Sequence, residues 1–260
     1  MDPQFAAVIY PFIASLPRVA AVMTLLPLFG RRTTQGLIRA QFVVLLALFV
    51  YPSAVPEPGA ALPVGFGAYV LIALKEVAIG LVLGLFLGTL YWVAENVGYL
   101  IDLQTGTHNA LIHDPVNEHP EGPTAAFMLK LVLVLTMAGG GLLTLLGVLF
   151  DSYRVWPIFE TMPRGNELFA QAIAARADSI FMLTVQFCAP FVILLLLIEI
   201  GLGLLNRISD RIDAYSLAMP IKSIVAFFVL LVFLSFVYDS LNGLLARDSD
   251  LLKLMAEVFR

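Results

Sequence analysis

The chain of 260 residues holds a single cysteine and draws only 13% of its length from charged residues. Cys188 has no partner for an intrachain disulfide, so covalent staples are excluded and the redox compartment stays open. It reads as a small apolar core residue. Fifteen Lys and Arg stand against nineteen Asp and Glu, a formal net charge of −4. The nearest approach to a basic cluster is Arg31, Arg32 and Arg39, too little for a nucleic-acid face. No GxSxG, GxxxxGK[ST] or HExxH occurs, so the nucleophile elbow, the phosphate cradle and the zinc-protease helix are all missing. No cofactor and no catalysis are expected. The opening residues, MDPQFAAVIYPF, lack the basic n-region of a secretory signal, and the first apolar run is expected to stay in the mature protein.

What the chain does have is apolar sequence. Hydrophobic residues make up 60% of it, with a mean hydropathy of +0.93, whereas soluble domains are about 45–50% apolar. One soluble core of this size cannot bury that excess. The class is therefore an integral membrane protein or a subunit buried in a larger apolar assembly. Runs at 5–29, 40–55, 64–93, 124–150, 180–205 and 217–245 are the six candidate spans, and helix is expected because lipid offers backbone groups no other local partner. Long connections are expected at 94–123 and 151–179. Pro11 and Pro17 cut the first run.

Several runs carry charge: Arg18, then Lys75 and Glu76, Lys130, Glu199, Lys222 and Asp239. Such groups should face protein or water, since one at a bilayer centre costs at least about 2.5 kcal/mol. Lys75 and Glu76 are sequence neighbours on different helix faces and are not expected to pair simply. The positive-inside count is also uninformative. Alternating spans would put Arg31, Arg32, Arg39, Arg207 and Arg211 on one side. The other would hold Arg154, Arg164, Arg176, Arg247, Lys253 and Arg260. A serpentine protein shows a clear bias, so an irregular, non-serpentine arrangement is expected. Gly80, Gly84 and Gly88 share one helix face, and Gly139, Gly140 and Gly141 mark the fourth run, as close helix packing would require.

One stretch stands apart: TGTHNALIHDPVNEHPEGPT, residues 105–124, with every histidine of the chain (His108, His113 and His119) and no Lys or Arg. Asp114 and Glu118 add carboxylates, but the spacings match no zinc motif and an irregular polar loop collects histidine without metal. Three classes follow from the residues alone: a structural subunit, a transporter using Glu76 and Glu199 as intramembrane acids, and an intramembrane metalloenzyme using the histidines. Transport and metalloenzyme chemistry have the weaker support, lacking repeat symmetry and ligand spacing respectively.

Three ordered motifs carry a family resemblance. ENVGYLIDLQTG (95–106) resembles the E-x-x-G-x-x-x-D-x-Q-x-G signature of the type III secretion export-apparatus family SctT, also called YscT, HrcT or SpaR. AGGGLLTLLGVLFDSYRVWP (138–157) is similar to that family's glycine-rich run into S-Y-x-x-W-P, and LAMPIKS (217–223) to its C-terminal motif. Flagellar FliR shares the layout, while the second and third motifs favour the injectisome branch. Residues 179–246 also resemble the two-helix partner SctS, leaving 1–178 as an SctR-like part and 247–260 as a polar tail. The resemblance implies an all-α export-gate subunit of long kinked helices and hairpins. It would lie in the bacterial inner membrane within the secretion basal body, partly raised toward the periplasm.

Partners implied are SctR-like and SctS-like subunits, an SctU-like switch protein, an SctV-like export protein, inner-rod or needle components, and unfolded proteins in transit. The resemblance further implies a channel plug at 107–122, including Thr107, His108, Asn109, Leu111, Ile112, His113, Asp114, Pro115 and Asn117. Glu95, Gly98, Asp102, Gln104 and Gly106 would anchor its base. Arg207, Asp210, Arg211 and Asp213 would form a cytosolic-entrance loop, and Pro220 and Lys222 would set the following helix.

Overall fold

A computed structural model describes residues 3–30, 36–55, 65–107, 122–160, 167–208, 217–232 and 243. Helices α1 (Pro3–Leu25) and α2 (Gly36–Ala54) are joined through a 3-10 turn at Pro27–Phe29, and α3 runs Phe66–Thr105. Then come α4 (Pro123–Ala138), α5 (Gly141–Val155) and α6 (Glu167–Ile208), with α7 at Leu217–Val232. The fold is all-α among the described residues.

Two expected boundaries move. Helix α3 continues 40 residues to Thr105, so ENVGYLIDLQT is helical rather than connecting chain. Polar residues do not end it because Asp102 finds partners inside the fold. Likewise α6 is 42 residues long and takes in much of the expected 151–179 connection. The fourth run breaks instead of crossing straight: α4 and α5 meet at 78°. Gly140 makes that break with φ 74, a left-handed conformation that glycine adopts without a Cβ clash. Helix α1 carries Pro11 and Pro17 without ending. Among the described residues two helices are long and apolar enough to cross a membrane, or three if the bent α4–α5 pair counts as one span. The six runs are thus not six equivalent spans.

The residues fall into two compact units, each assembled from separated parts of the chain. One comprises Met1–Thr89 and Gly139–Arg176. Its α1 buries Val19, Val22 and Met23, three and four residues apart, as an amphipathic face requires, and Leu26 just beyond its end is buried too. Leu83 and Leu87 of α3 and Leu145, Val148 and Leu149 of α5 join the same core. The other unit comprises Leu90–Ala138 and Ala177–Gly243. There α4 buries Ala125, Met128, Leu129, Val132 and Thr136. Val97 and Ile101 of α3 and Phe187, Phe191 and Leu195 of α6 complete that core.

Glycines set the spacing within each unit. A Cβ on Gly80 would stand 2.6 Å from the Arg18 carbonyl and 2.7 Å from Ala21 Cβ. One on Gly84 would stand 2.8 Å from Leu25 Cβ. Positions 18, 21 and 25 form one stripe of α1, so the two glycines let α3 lie directly on it. Gly88 is buried on the same face. Gly139 and Gly140 are exposed, and a Cβ on Gly140 would meet nothing within 4 Å. Their contribution within this chain is the bend, not the close packing expected from sequence.

Gly80→Ala should therefore lower stability by about 1–3 kcal/mol, because the obstructing atoms are backbone and a Cβ that cannot rotate away. Gly147→Ala, on α5 with nothing within 4 Å, should be neutral or slightly stabilising in the isolated chain. Thermal unfolding in detergent would compare the pair, and equal losses would contradict the packing argument.

Candidate functional site: a charged core and a capped loop base

Arg18 is fully buried, and so is Glu76. The guanidinium meets the carboxylate as a fork, Nε to Oε2 at 2.7 Å and Nη2 to Oε1 at 3.0 Å. Nη1 donates to the Ser152 carbonyl at 2.9 Å and to Ser152 Oγ at 3.2 Å, while Nη2 also reaches the Trp156 carbonyl at 2.9 Å. All five N–H groups of the arginine are thereby used. Its Cζ lies 4.0 Å from the centre of the Tyr153 ring, within cation–π range, and Tyr153 donates its hydroxyl to the Ser15 carbonyl at 2.8 Å.

Lys75 joins the same centre. Its Nζ is 3.2 Å from Glu76 Oε1, so the two neighbours do pair, contrary to the helix-face argument. The long lysine stem reaches round, and its ammonium also donates to the carbonyls of Pro157, Ile158 and Glu160. Two cations against one carboxylate leave an excess positive charge. That excess sits on the carbonyl-rich C-terminal end of α5 and the turn after it, where the helix dipole favours cations. The S-Y-x-x-W-P residues Ser152, Tyr153, Trp156 and Pro157 are the local frame of this centre. The sequence offered a signal for it: lone charges of opposite sign in the first and third runs.

The second unit gathers the other motifs. Asp102, near the end of α3, is fully buried. Its Oδ1 accepts from the Thr124 amide at 3.1 Å and from Thr107 Oγ1 at 3.0 Å, and its Oδ2 from the Ala125 amide at 2.9 Å. Thr124 and Ala125 lie in the first turn of α4, whose leading N–H groups have no partner within the helix. Ordinarily the residue just before the helix caps it. Here that residue is Gly122, whose carbonyl already accepts from the Ala126 amide at 3.0 Å. A Cβ at Gly122 would run into the Asp102 carboxylate, so glycine makes the room in which Asp102 caps the helix from a distance. Sequence reading named Asp102 but missed Gly122.

Other anchor residues lie close by. Gly98 brings α3 onto α4, since a Cβ there would be 2.5 Å from Ala125 Cα. Gly106 turns the chain with φ 78, and a Cβ there would meet Met219 Cε at 3.0 Å. Lys222 donates to the Gln104 carbonyl at 3.3 Å and to Glu199 Oε2 at 2.9 Å. The D-x-Q-x-G segment, α6 and the Pro-Lys helix α7 therefore meet through one ammonium. Pro220 is exposed in the first turn of α7, where a missing N–H is tolerated. Glu95 is half-buried. A cleft of about 310 Å³ opens beside the base, with Thr105, Thr107 and Thr124 on its polar lining and Ala226, Phe227 and Leu230 on its apolar one.

Of the expected plug, only Thr107 and Gly122 are described; His108, Asn109, Leu111, Ile112, His113, Asp114, Pro115, Asn117 and His119 lie outside the described residues. So do Asp210, Arg211 and Asp213 of the entrance loop, while Arg207 is exposed near the end of α6. Among the described residues no group of three or more His, Cys, Asp or Glu side chains is placed to hold a metal ion.

The family profile described as "Bacterial export proteins, family 1" matches residues 9–247. The chain belongs to that family. Among bacterial export proteins it is similar to Yop proteins translocation protein T of Yersinia pestis, 30% identical over 84% of this chain and 83% of the relative. It is also similar to surface presentation of antigens protein SpaR of Salmonella typhimurium, 31% identical over 84% and 80%. Flagellar biosynthetic protein FliR of Bacillus subtilis is 27% identical over 87% of each chain. Membership in the export family agrees with the resemblance carried by the three motifs.

Removing one partner from the first centre should be severe. Glu76→Leu leaves Arg18 buried with its charge uncompensated, a loss of about 3–5 kcal/mol. Arg18→Met combined with Glu76→Leu should lose less than either substitution alone, measured as a coupling in thermal unfolding. Additive losses would show that the pair is not energetically linked.

Proposed function

We propose that the chain is a structural, non-enzymatic subunit of the export gate of a bacterial type III protein secretion system. It would form part of the protein-conducting channel and of its plug. At the coarser level, membership in the export family and the long apolar helices make it a membrane component of a secretion apparatus. Likeness to a Yop translocation protein and to a surface presentation of antigens protein, at 30% and 31% identity, favours the injectisome branch over the flagellar one, at 27%.

The observation that carries the finer reading is the capped base built by Asp102, Thr107 and Gly122 at the two ends of 108–121. A plug must be polar enough for a wet lumen yet fixed at its root. The segment supplies the polarity through its sequence, and the Asp102 carboxylate supplies a fixed root. We assign residues 107–122 as plug, with the Lys222–Gln104 contact tying the root to α7. On the family resemblance we assign 1–178 as an SctR-like part and 179–246 as an SctS-like hairpin. Arg207–Asp213 is assigned to the cytosolic entrance facing an SctU-like switch protein. SctR-like, SctS-like and SctV-like subunits and inner-rod or needle components complete the set of partners, in the inner membrane and partly raised toward the periplasm.

Exposed apolar surface supports a subunit in contact with other chains or lipid. The most apolar window of α6 is only 17% buried, against 44% for that of α3. Water does not tolerate a face of this extent. The transporter alternative draws no support from its two named acids. Glu76 has both oxygens on Arg18, and Glu199 is paired with Lys222.

Two measurements test the proposal. Mild detergent extraction of a tagged chain from its native host should recover SctR-like and SctS-like proteins, identified by mass spectrometry; a chain stable and alone where other complexes survive would contradict it. Deleting residues 109–120 should raise ion leakage through the assembled gate without preventing assembly. Unchanged leakage would remove the plug role.

A further inference from the structure

Helix α4 has two distinct faces. Ala125, Met128, Leu129, Val132 and Thr136 are buried in their own unit. Before the last residue of the helix, the exposed positions are Pro123, Phe127, Lys130, Val134 and Met137. Steps of four, three, four and three residues make these one straight seam, covering roughly a quarter of the helix circumference at 3.6 residues per turn. A single apposed helix covers such a seam in knobs-into-holes packing. Lipid makes no demand of that kind. Helix α2, by contrast, exposes Leu37, Ile38, Phe42, Leu45, Leu48 and Phe49, spread over roughly half of its circumference.

Lys130 stands in the middle of the seam and is the only charge in the sixteen residues of α4. Arg18, Lys75 and Lys222, set among apolar residues of α1, α3 and α7, each meet a carboxylate of this chain. The ion pairs among the described residues engage those three and Arg154, and none engages Lys130. Snorkelling does not relieve it. At 1.5 Å per residue it lies about 10 Å from one end of α4 and about 12 Å from the other, farther than a four-carbon stem carries the ammonium.

We propose that the Phe127–Met137 seam is covered in the assembled apparatus by an apolar helix of another subunit, which sets one Asp or Glu against Lys130. This rests on the reading of the chain as a secretion-apparatus subunit. Charge complementarity selects the occupant. Acyl chains carry no anion, and a second copy of the same seam brings only cation toward cation. The start of the seam fits the same occupant: Phe127, one turn from Lys130, shares the cleft of about 310 Å³ with Ala226, Phe227 and Leu230 of α7. A helix lying along the seam would place an apolar side chain there. The ion pair would fix the register of the two helices and reject partners lacking the acid, as a lone polar residue does in a coiled-coil seam.

The experiment compares Lys130→Arg, Lys130→Leu and Lys130→Glu in the native host. The tagged chain is extracted in mild detergent, and the yield of co-purifying apparatus subunits is read by quantitative mass spectrometry beside thermal unfolding of the extracted chain. Lys130→Arg should keep the wild-type yield. Lys130→Leu should lower it about tenfold, because the opposing carboxylate is left unpaired, and Lys130→Glu should lower it further. Unfolding should not shift, since the buried face of α4 is untouched. In the wild-type assembly a membrane-soluble carbodiimide should join the Lys130 amine to an Asp or Glu of another subunit as an amide.

Wild-type yield in Lys130→Leu would overturn the proposal, because the seam would then need no cation. Equal losses in Lys130→Arg and Lys130→Leu would make shape, not charge, the requirement and overturn it too. So would destabilised unfolding in Lys130→Leu, or an amide formed to an acid of this same chain. A yield that falls while the carbodiimide leaves Lys130 unjoined would assign the cation to a lipid phosphate and remove the partner helix. A wild-type chain that extracts alone sinks the subunit reading and this inference with it, whereas an intact wild-type complex beside an intact Lys130→Leu complex sinks the inference alone. Should Lys130→Glu fail to insert, Lys130→Arg and Lys130→Leu still decide.

Discussion

Arg18 is held at every N–H it possesses, and the first unit is arranged so that this is possible. A guanidinium cannot shed its charge by releasing a proton at any ordinary pH. Once it lies in an apolar core, its surroundings must provide acceptors in a fork-shaped pattern. Glu76 provides two, and the end of α5 provides the rest. That requirement fixes three helices at once. Helix α3 must present its carboxylate toward α1, α5 must end where its last carbonyls point at Arg18, and the Trp156–Pro157 turn must follow immediately. Gly80 fits the same demand, since its missing Cβ is what permits α3 to approach the Arg18 backbone.

The second unit solves the complementary problem. Helix ends leave carbonyls unpaired at one terminus and amides at the other. Cations settle the carbonyl end of α5 in the first unit, and an anion settles the amide end of α4 in the second. In the second the charge comes from α3 through Asp102; in the first Arg18 of α1 reaches the Ser152 carbonyl of α5, and Lys75 of α3 reaches the carbonyls of the turn beyond it. The signs follow the helix dipole. A long apolar helix carrying few charges can therefore organise both of its neighbourhoods, provided each charge meets a helix end of opposite polarity.

This logic decides what was legible in the sequence. The apolar runs announced helices, and the lone charges announced buried partners, because both follow from composition and the solvent. The three motifs carried the family. Partner identity was not legible: Arg18 and Glu76 are 58 positions apart, and Arg18 and Ser152 are 134 apart. The sequence-neighbour argument failed for Lys75 and Glu76 because it placed side chains by Cβ direction, whereas a lysine stem is long enough to bring its ammonium back. Boundaries failed for a related reason. Asp102 fell within the expected 94–123 connection, and its partners, Thr124 and Ala125, lie beyond the intervening segment. Gly122 carried no signal at all, since its role is defined by the space another residue needs.

Glycine usage then separates contacts made within the chain from those left to its surroundings. Gly80, Gly84 and Gly98 have neighbours of this chain where a Cβ would stand, so their flexibility is offset by close helix approach. Gly201 and Gly203 lie inside α6 with nothing within 4 Å. A glycine inside a helix costs roughly 1 kcal/mol relative to alanine, and this chain returns no packing for it there. The same stretch exposes Ile193, Leu197, Ile200 and Leu204. An exposed apolar helix with unfilled glycines is poorly stabilised by its own chain, and the missing stabilisation has to come from what lies against it. Lipid can cover leucine and isoleucine, but it gains little from the absence of a side chain. Another helix gains from it directly, because backbone can approach backbone. On this argument the α6 surface around Gly201 and Gly203 suits a protein neighbour better than a lipid one, in keeping with a chain whose two cores are complete and whose outer face is not.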